Sequence, residues 1–217
     1  METKTNEDKV EKAYFYLREE IIQRKLKPLD SVDQSMVARQ LNCSRLPVRQ
    51  ALLRLTQEGL VNYVTHKGAT IAPISMEDLV EVYTARALLE TMLAKAGARK
   101  CELVQLMELK KILEAQQAAV QNEDSVEFLR LDQQFHDVLY RVSGYLYICT
   151  LTDQLRYRAS RYLYLYASSQ DHLRSSLAEH AEIIAAIQAR EYELVGDLIG
   201  KHIDKGKEEL ARIIAGF

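Results

Sequence analysis

The chain has 217 residues, 47% of them hydrophobic and 28% charged, with a formal net charge of −2, eight glycines and three prolines. That length holds one large domain or two small ones, and the composition excludes a disordered chain. No apolar run approaches ~18 residues, which excludes a membrane-spanning helix, and the charged start METKTNEDKVEK lacks the apolar stretch of a secretory signal.

Apolar residues at Val10, Ala13, Tyr14, Leu17, Ile21 and Ile22 recur at helical spacing and predict an amphipathic helix over roughly 8–26. Lys27-Pro28-Leu29-Asp30 ends it, because proline disfavours helix in the residue before it. Ser31 or Asp33 can cap a short second helix through Met36, Val37, Ala38 and Leu41. After a turn at Asn42-Cys43, Ser44 is placed to cap a third helix. Pro47 is tolerated in its first turn, and Gly59 stands where a helix end favours glycine. Two β-prone runs, 60–64 and 69–72, flank Thr65-His66-Lys67-Gly68 and read as a hairpin. Three helices followed by a two-stranded wing make a winged helix-turn-helix, here residues 1–73.

From residue 74 to 217 there is no proline, and good helix formers dominate. Helices are predicted at about 76–99, 102–121, 125–142, 145–167, 170–189 and 191–214. Their short connections favour antiparallel neighbours, so residues 74–217 are expected to form an all-α six-helix bundle. The fold class is therefore mainly α. Cys43, Cys101 and Cys149 are far apart and match no zinc or redox spacing, which fits reduced thiols in a cytoplasmic protein.

Charge is unevenly spread. Residues 1–73 carry a net +3 and residues 74–217 a net −5. A basic module joined to an acidic one suits a DNA-reading head on a regulatory body, although ordinary surface variation gives the same imbalance. On the third helix Arg45 and Arg49 are four residues apart and share a face. Arginine's planar fork can bind guanine bidentately, while Leu46 and Pro47 offer apolar contact to thymine methyls. Ser35 and Ser44 suit phosphate oxygens, and His66, Lys67 and Gly68 sit at the wing tip. Spacing alone leaves the two arginines equally readable as solvated helix residues.

The stretch LREEIIQRKLKPLDSVDQSMVARQLNCSRLPVRQALLRLTQEGLVNY, followed by HKGATIAPIS, resembles the DNA-binding domain of the GntR family of bacterial transcription regulators. Its most specific part is SRLPVRQALLRLTQEGLV, from Ser44 to Val61. The resemblance implies base and phosphate contacts for Arg45 and Arg49 and a groove contact for His66-Lys67-Gly68. Three positions depart from the family pattern: Leu29 follows Pro28 in place of glycine, Ser35 replaces a common arginine, and Leu46 replaces a small polar residue.

In the second part, Asp132 and His136 are four apart on a face that also holds Phe128, Phe135 and Leu139. His180 falls on the stripe Leu173, Leu177, Ile184 and Ile187, and His202 on Val195, Leu198, Leu210 and Ile213. Each histidine taken singly could be a hydrogen-bonded core residue. As a set, three imidazoles and a carboxylate facing inward are satisfied at once by a divalent cation. Nitrogen and oxygen ligands suit zinc, nickel or manganese. The segments RALLE (Arg86 to Glu90), Asp132 with Phe135-His136, Glu179-His180 and the later His202 resemble the FCD ligand-binding domain of the FadR branch of the family, with six helices as in its VanR subgroup. The resemblance implies a metal held by Asp132, His136, His180 and His202, and a small organic acid bound at it. Arg86, Arg158 and Arg161 are the candidate partners for the acid's carboxylate.

The function expected is that of a dimeric transcription regulator, a repressor, that is not an enzyme. A homodimer would read an inverted-repeat operator in double-stranded DNA, with a small carboxylate effector and no membrane partner. Two alternatives stand beside it. One is a metal-dependent hydrolase with Glu179 as general base. The other is a regulator whose metal is structural or is itself the signal.

Overall fold

A computed structural model describes residues 6–216 apart from 24, 65, 66 and 168; the side chains at 6, 22 and 163–167 also lie outside the described set. The chain divides into two compact units, Met1–Ser75 and Met76–Phe217.

The first unit contains α1 (Asn6–Ile22), α2 (Gln34–Gln40), α3 (Arg45–Gln57), β1 (Val61–Val64) and β2 (Gly68–Ile71). Helix α1 stops short of the predicted residue 26, and a bond from the Leu26 N–H to the Glu20 carbonyl (3.0 Å) folds the chain back ahead of Pro28. Asp33, rather than Ser31, caps α2, accepting from the Ser35 and Met36 N–H groups at 2.8 and 3.1 Å. Ser44 stands at the N-cap of α3 without a side-chain cap bond. Helices α2 and α3 close with bonds from Cys43 N to Ala38 O and from Leu60 N to Leu55 O, with Asn42 and Gly59 in the left-handed region between. The turn Pro28-Leu29 puts Leu29 at φ 71°, a conformation that glycine adopts without strain.

Strands β1 and β2 pair antiparallel, Val61 opposite Ile71 and Val64 opposite Gly68, and a bridge between Ser31 and Thr70 adds the preceding loop to the sheet. Val61, Ala69 and Ile71 are buried together with Leu17, Val37, Val48, Leu52 and Leu55 in the core of this unit. Tyr14 donates to the Glu58 carboxylate (2.9 and 3.0 Å), and the Arg54 guanidinium lies 3.7 Å from the Tyr14 ring centre, so α1 is tied to the end of α3.

The second unit contains α4 (Met76–Lys100), α5 (Leu103–Gln121), α6 (Ser125–Val142), α7 (Leu146–Ala167), α8 (Gln170–Gln188) and α9 (Tyr192–Ala215). The predicted spans agree with these closely, and three of the breaks carry a local stop. Glu123 and Arg190 take up left-handed conformations after α5 and α8, and Gly144 does so between α6 and α7. Helix α4 packs along α9 and against α6 and α7, while α5 packs on α6 and α8. No helix among the described residues is long and apolar enough to cross a membrane.

The α4–α6 crossing depends on Gly97. A Cβ there would lie 1.9 Å from the Leu139 carbonyl oxygen, which belongs to the backbone of α6 and cannot swing away. This close approach brings α4 against the face of α6 that holds His136 and Tyr140. Gly97→Ala is expected to destabilise the protein by at least about 1–3 kcal/mol, the range for overpacked cores, read as a lower urea midpoint. Gly206→Ala, whose added carbon meets only Tyr83 Cε1 at 3.8 Å, should stay at or above wild type.

Candidate functional site

In the first unit the phase of α3 sorts the predicted DNA-contacting residues. Arg45, Leu46 and Arg49 fall on the exposed face, with Leu46 55% exposed, while Pro47, Val48, Ala51, Leu52 and Leu55 turn inward. Pro47 is therefore placed differently from expectation: it is buried, away from the face its neighbours present. Gln34, Arg45, Leu46, Arg49, Tyr63, Lys67 and Gly68 line one open concavity of about 520 Å³. The start of α3 and the wing thus share a surface carrying three cationic side chains. Ser44 is exposed and Ser35 half-buried, and neither is among the described lining residues; His66 lies outside the described residues.

In the second unit α6 supplies Asp132 and His136, α8 supplies His180, and α9 supplies His202. One ligand-competent atom from each lies within 4.8 Å of those of the other three. The imidazole centres of His136, His180 and His202 form a near-equilateral triangle with sides of 5.2, 5.3 and 5.1 Å.

Each ring has its Nδ1 committed outward. His180 Nδ1 meets Gln116 Oε1 at 2.9 Å, and His202 Nδ1 meets Glu179 Oε2 at 2.6 Å. His136 Nδ1 meets the Tyr140 hydroxyl at 3.0 Å, whose own proton goes to Glu90 Oε2 at 2.8 Å. All three partners are acceptors, so the Nδ1 atoms carry the protons and the lone pairs sit on Nε2. His180 Nε2 is buried without a hydrogen-bond partner among the described residues. Asp132 Oδ1 lies 3.5 Å from His180 Nε2 and 3.8 Å from His136 Nε2. Lone pairs thus face a carboxylate with no proton between them. Such a donor set fits a divalent cation, and His180 Nε2 is the orphaned atom it would satisfy.

Electrostatics favour the neutral form of the two buried histidines. Burial, together with the neighbouring imidazoles, holds His136 well below its ordinary value, and burial and His202 do the same to His180. Both rings are therefore neutral and able to ligate. Burial raises the Asp132 carboxyl, opposed by His202, Arg156 and Arg86. Glu179 lies below the usual carboxylate range because bonds from His202 and Lys205 outweigh its burial. It is an orienting partner of His202 and not a base facing the cluster.

A cavity of about 40 Å³ adjoins the cluster, lined among others by Tyr83, Arg86, Asp132, Gln133, Arg156 and His202. Arg86 is part of that wall. Arg158 and Arg161 are not among the described lining residues; both bond to Asp78 in the first turn of α4, joined there by Tyr162 (2.7 Å). Arg156, passed over in the sequence, lines the cavity instead. It is buried on the same stripe of α7 as Cys149, Thr152 and Ala159, and that spacing is the signal that marks it. Tyr83, also missed, buries a hydroxyl with no described partner at the same wall.

Comparison with known proteins agrees with this architecture. Residues 9–71 match the gntR family of bacterial regulatory proteins, and residues 81–205 match the FCD domain. Over 206 residues the chain is 25% identical to the HTH-type transcriptional repressor RspR of Escherichia coli, covering 94% of this chain and 89% of that protein. It is 26% identical over 201 residues to the repressor GlaR of the same organism, covering 88% and 90%. Among solved structures, E. coli McbR/YncC superposes with a TM-score of 0.79 at 22% identity, covering 94% of this chain and 97% of that one. A regulator from Rhodococcus sp. RHA1 gives 0.76 at 20% identity, covering 96% and 98%. The winged head and helical second unit define a DNA-binding transcription regulator and not an enzyme. The chain belongs to the GntR family, with an FCD domain as its C-terminal part.

The buried neutral histidines also set a pH dependence. In the unfolded chain His136 and His180 bind protons near 6.5, whereas in the folded, metal-free protein they do so only well below that. The unfolded state therefore binds more protons as pH falls through 6.5, and stability present above that value is lost. Chelator-treated protein should show a urea midpoint that declines from pH 7.5 to 5.5. His180→Gln should flatten the decline.

Proposed function

We propose that this protein is a cytoplasmic, homodimeric repressor whose grip on an inverted-repeat operator is set by a small carboxylate bound at a divalent metal in the FCD domain. The observation that carries this reading is the inward convergence of three Nε2 lone pairs on Asp132, each ring fixed by an outward acceptor, beside a cavity walled by two guanidinium groups. Asp132, His136, His180 and His202 would hold zinc, nickel or manganese. Such an ion supplies Lewis acidity and open coordination positions for a carboxylate oxygen. Arg86 and Arg156 pair with the same carboxylate, the Tyr83 hydroxyl is free to donate to it, and the modest cavity favours a small acid.

In the head, Arg45 and Arg49 are read as base and phosphate contacts and Lys67 as a wing contact to the backbone. A single winged head spans too few base pairs for a specific site, and two-fold DNA sequence calls for a two-fold protein. The relatives RspR and GlaR are described as repressors, which supports that direction of control. The effector acts by binding one arrangement of the two heads better than another.

Two measurements test this. Arg49→Ala should weaken operator binding by on the order of tenfold to a hundredfold and reduce its salt dependence; unchanged affinity, or wild-type binding indifferent to salt, would sink the head assignment. For the metal, protein purified without chelator should carry close to one divalent ion per chain by elemental analysis. The His180→Ala/His202→Ala double variant should carry none, and retained metal in it would overturn the ligand set.

A further inference from the structure

The three ligand histidines are oriented by three different partners, and among the described residues one of these leads back to the cavity through its bonds. Gln116 holds His180 and passes no bond on from its other amide atom, which has no described partner. Glu179 holds His202 and is tied outward to Lys205 near the surface. Tyr140 holds His136 and donates to Glu90, a carboxylate with no exposed surface. Glu90 Oε1 in turn accepts from Arg86 Nε at 2.7 Å, and the Arg86 guanidinium forms part of the cavity wall.

The direction of each bond is fixed. Glu90 already accepts from Arg86 and its carboxylate offers only acceptor oxygens, so the Tyr140 hydroxyl gives its proton to Glu90. Its oxygen is then left to accept from His136 Nδ1, and an acceptor there keeps the lone pair on Nε2 and makes it a better ligand.

We propose that Tyr140 and Glu90 are positioning residues for the metal ligand His136, and that through them the cavity arginine Arg86 is coupled to that ligand. The proposal rests on the metal reading above. It gives the cavity and the ion a shared element: a carboxylate that draws on the Arg86 guanidinium competes with Glu90, and Glu90 determines how firmly Tyr140 holds the imidazole.

The experiment uses Ni²⁺ alone as probe, its affinity measured by competition with a chromophoric chelator on the full-length protein. The Co²⁺ absorption spectrum is recorded in parallel. Tyr140→Phe, which keeps the ring and every metal ligand, should lower Ni²⁺ affinity by about 10–100-fold and alter the Co²⁺ bands. Glu90→Gln, which preserves an acceptor for the Tyr140 hydroxyl, should lower affinity by less. In the double variant, the glutamine should add nothing to the effect of the phenylalanine, because the path is already cut. The thermal midpoint of each metal-free variant separates loss of orientation from loss of fold. Glu90→Gln carries the test if the tyrosine variant does not fold. Wild-type Ni²⁺ affinity and an unchanged Co²⁺ spectrum in Tyr140→Phe would overturn the coupling while leaving the metal reading intact, as would fully additive losses in the double variant. A wild-type protein that takes up no Ni²⁺ would overturn both.

Discussion

Three imidazole lone pairs and a carboxylate converge inside the helical unit with no proton donor among them, and the surrounding helices are arranged to keep it so. Leaving buried acceptors unmatched costs about 1–3 kcal/mol for each group. His180 Nε2 is such a group, and its cost is a sizeable share of the ~5–15 kcal/mol by which a domain is stable. A fold that tolerates this must either satisfy that atom or give up part of its margin. The orienting partners come from α5, α6 and α8, with α4 behind them, so five of the six helices bear on the cluster once α9 is counted. Phe135 stacks on the His180 ring at 4.0 Å, fixing its plane as Gln116 fixes its edge.

Helix packing supplies the precision this requires. Gly97 lets α4 approach the α6 backbone, and Gly196 and Gly200 let α9 lie against Lys95 and Thr91 of α4. Side chains at these positions would separate the very helices that carry Glu90, His136 and His202. The stretch without proline after Pro73 serves the same end, since a kink would displace residues a turn or two apart from their common centre.

Much of this was legible in the sequence, and what was not has a common cause. Periodicity located the helices, and the four-residue spacing of Asp132 and His136 placed both on one face. The inward stripes of α8 and α9 then marked His180 and His202. Residues that act through one bond to a ligand carry no such mark. Gln116 reads as an ordinary helical polar residue, and Glu179 suggested a general base because only its neighbour in sequence was visible. On α7 the choice among Arg156, Arg158 and Arg161 depends on helix phase, which its tyrosines, scattered round the helix, obscure. The small residues Cys149, Thr152 and Ala159 define that phase better than the large ones do. Pro47 shows the same lesson in reverse: its motif suggested contact with DNA, but the run Pro47, Val48, Ala51, Leu52 and Leu55 already described an inward stripe.

Two faces of α7 then acquire different roles from residues of one type. Arg156 bonds to Asp137 and the Gln133 carbonyl of α6 and stands in the cavity wall. Arg158, Arg161 and Tyr162, within two turns of it, hold Asp78 in the first turn of α4. Asp78 follows the division between the two units by only a few residues. A rigid helix transmits a displacement along its length without needing a chain of switching side chains. Arg156 is fixed to α6 and the other two arginines to α4, so α7 is bonded on both sides. Packing thus places the cavity wall and the anchor of the first turn of α4 on one helix, with Arg156 serving the one and Arg158, Arg161 and Tyr162 the other.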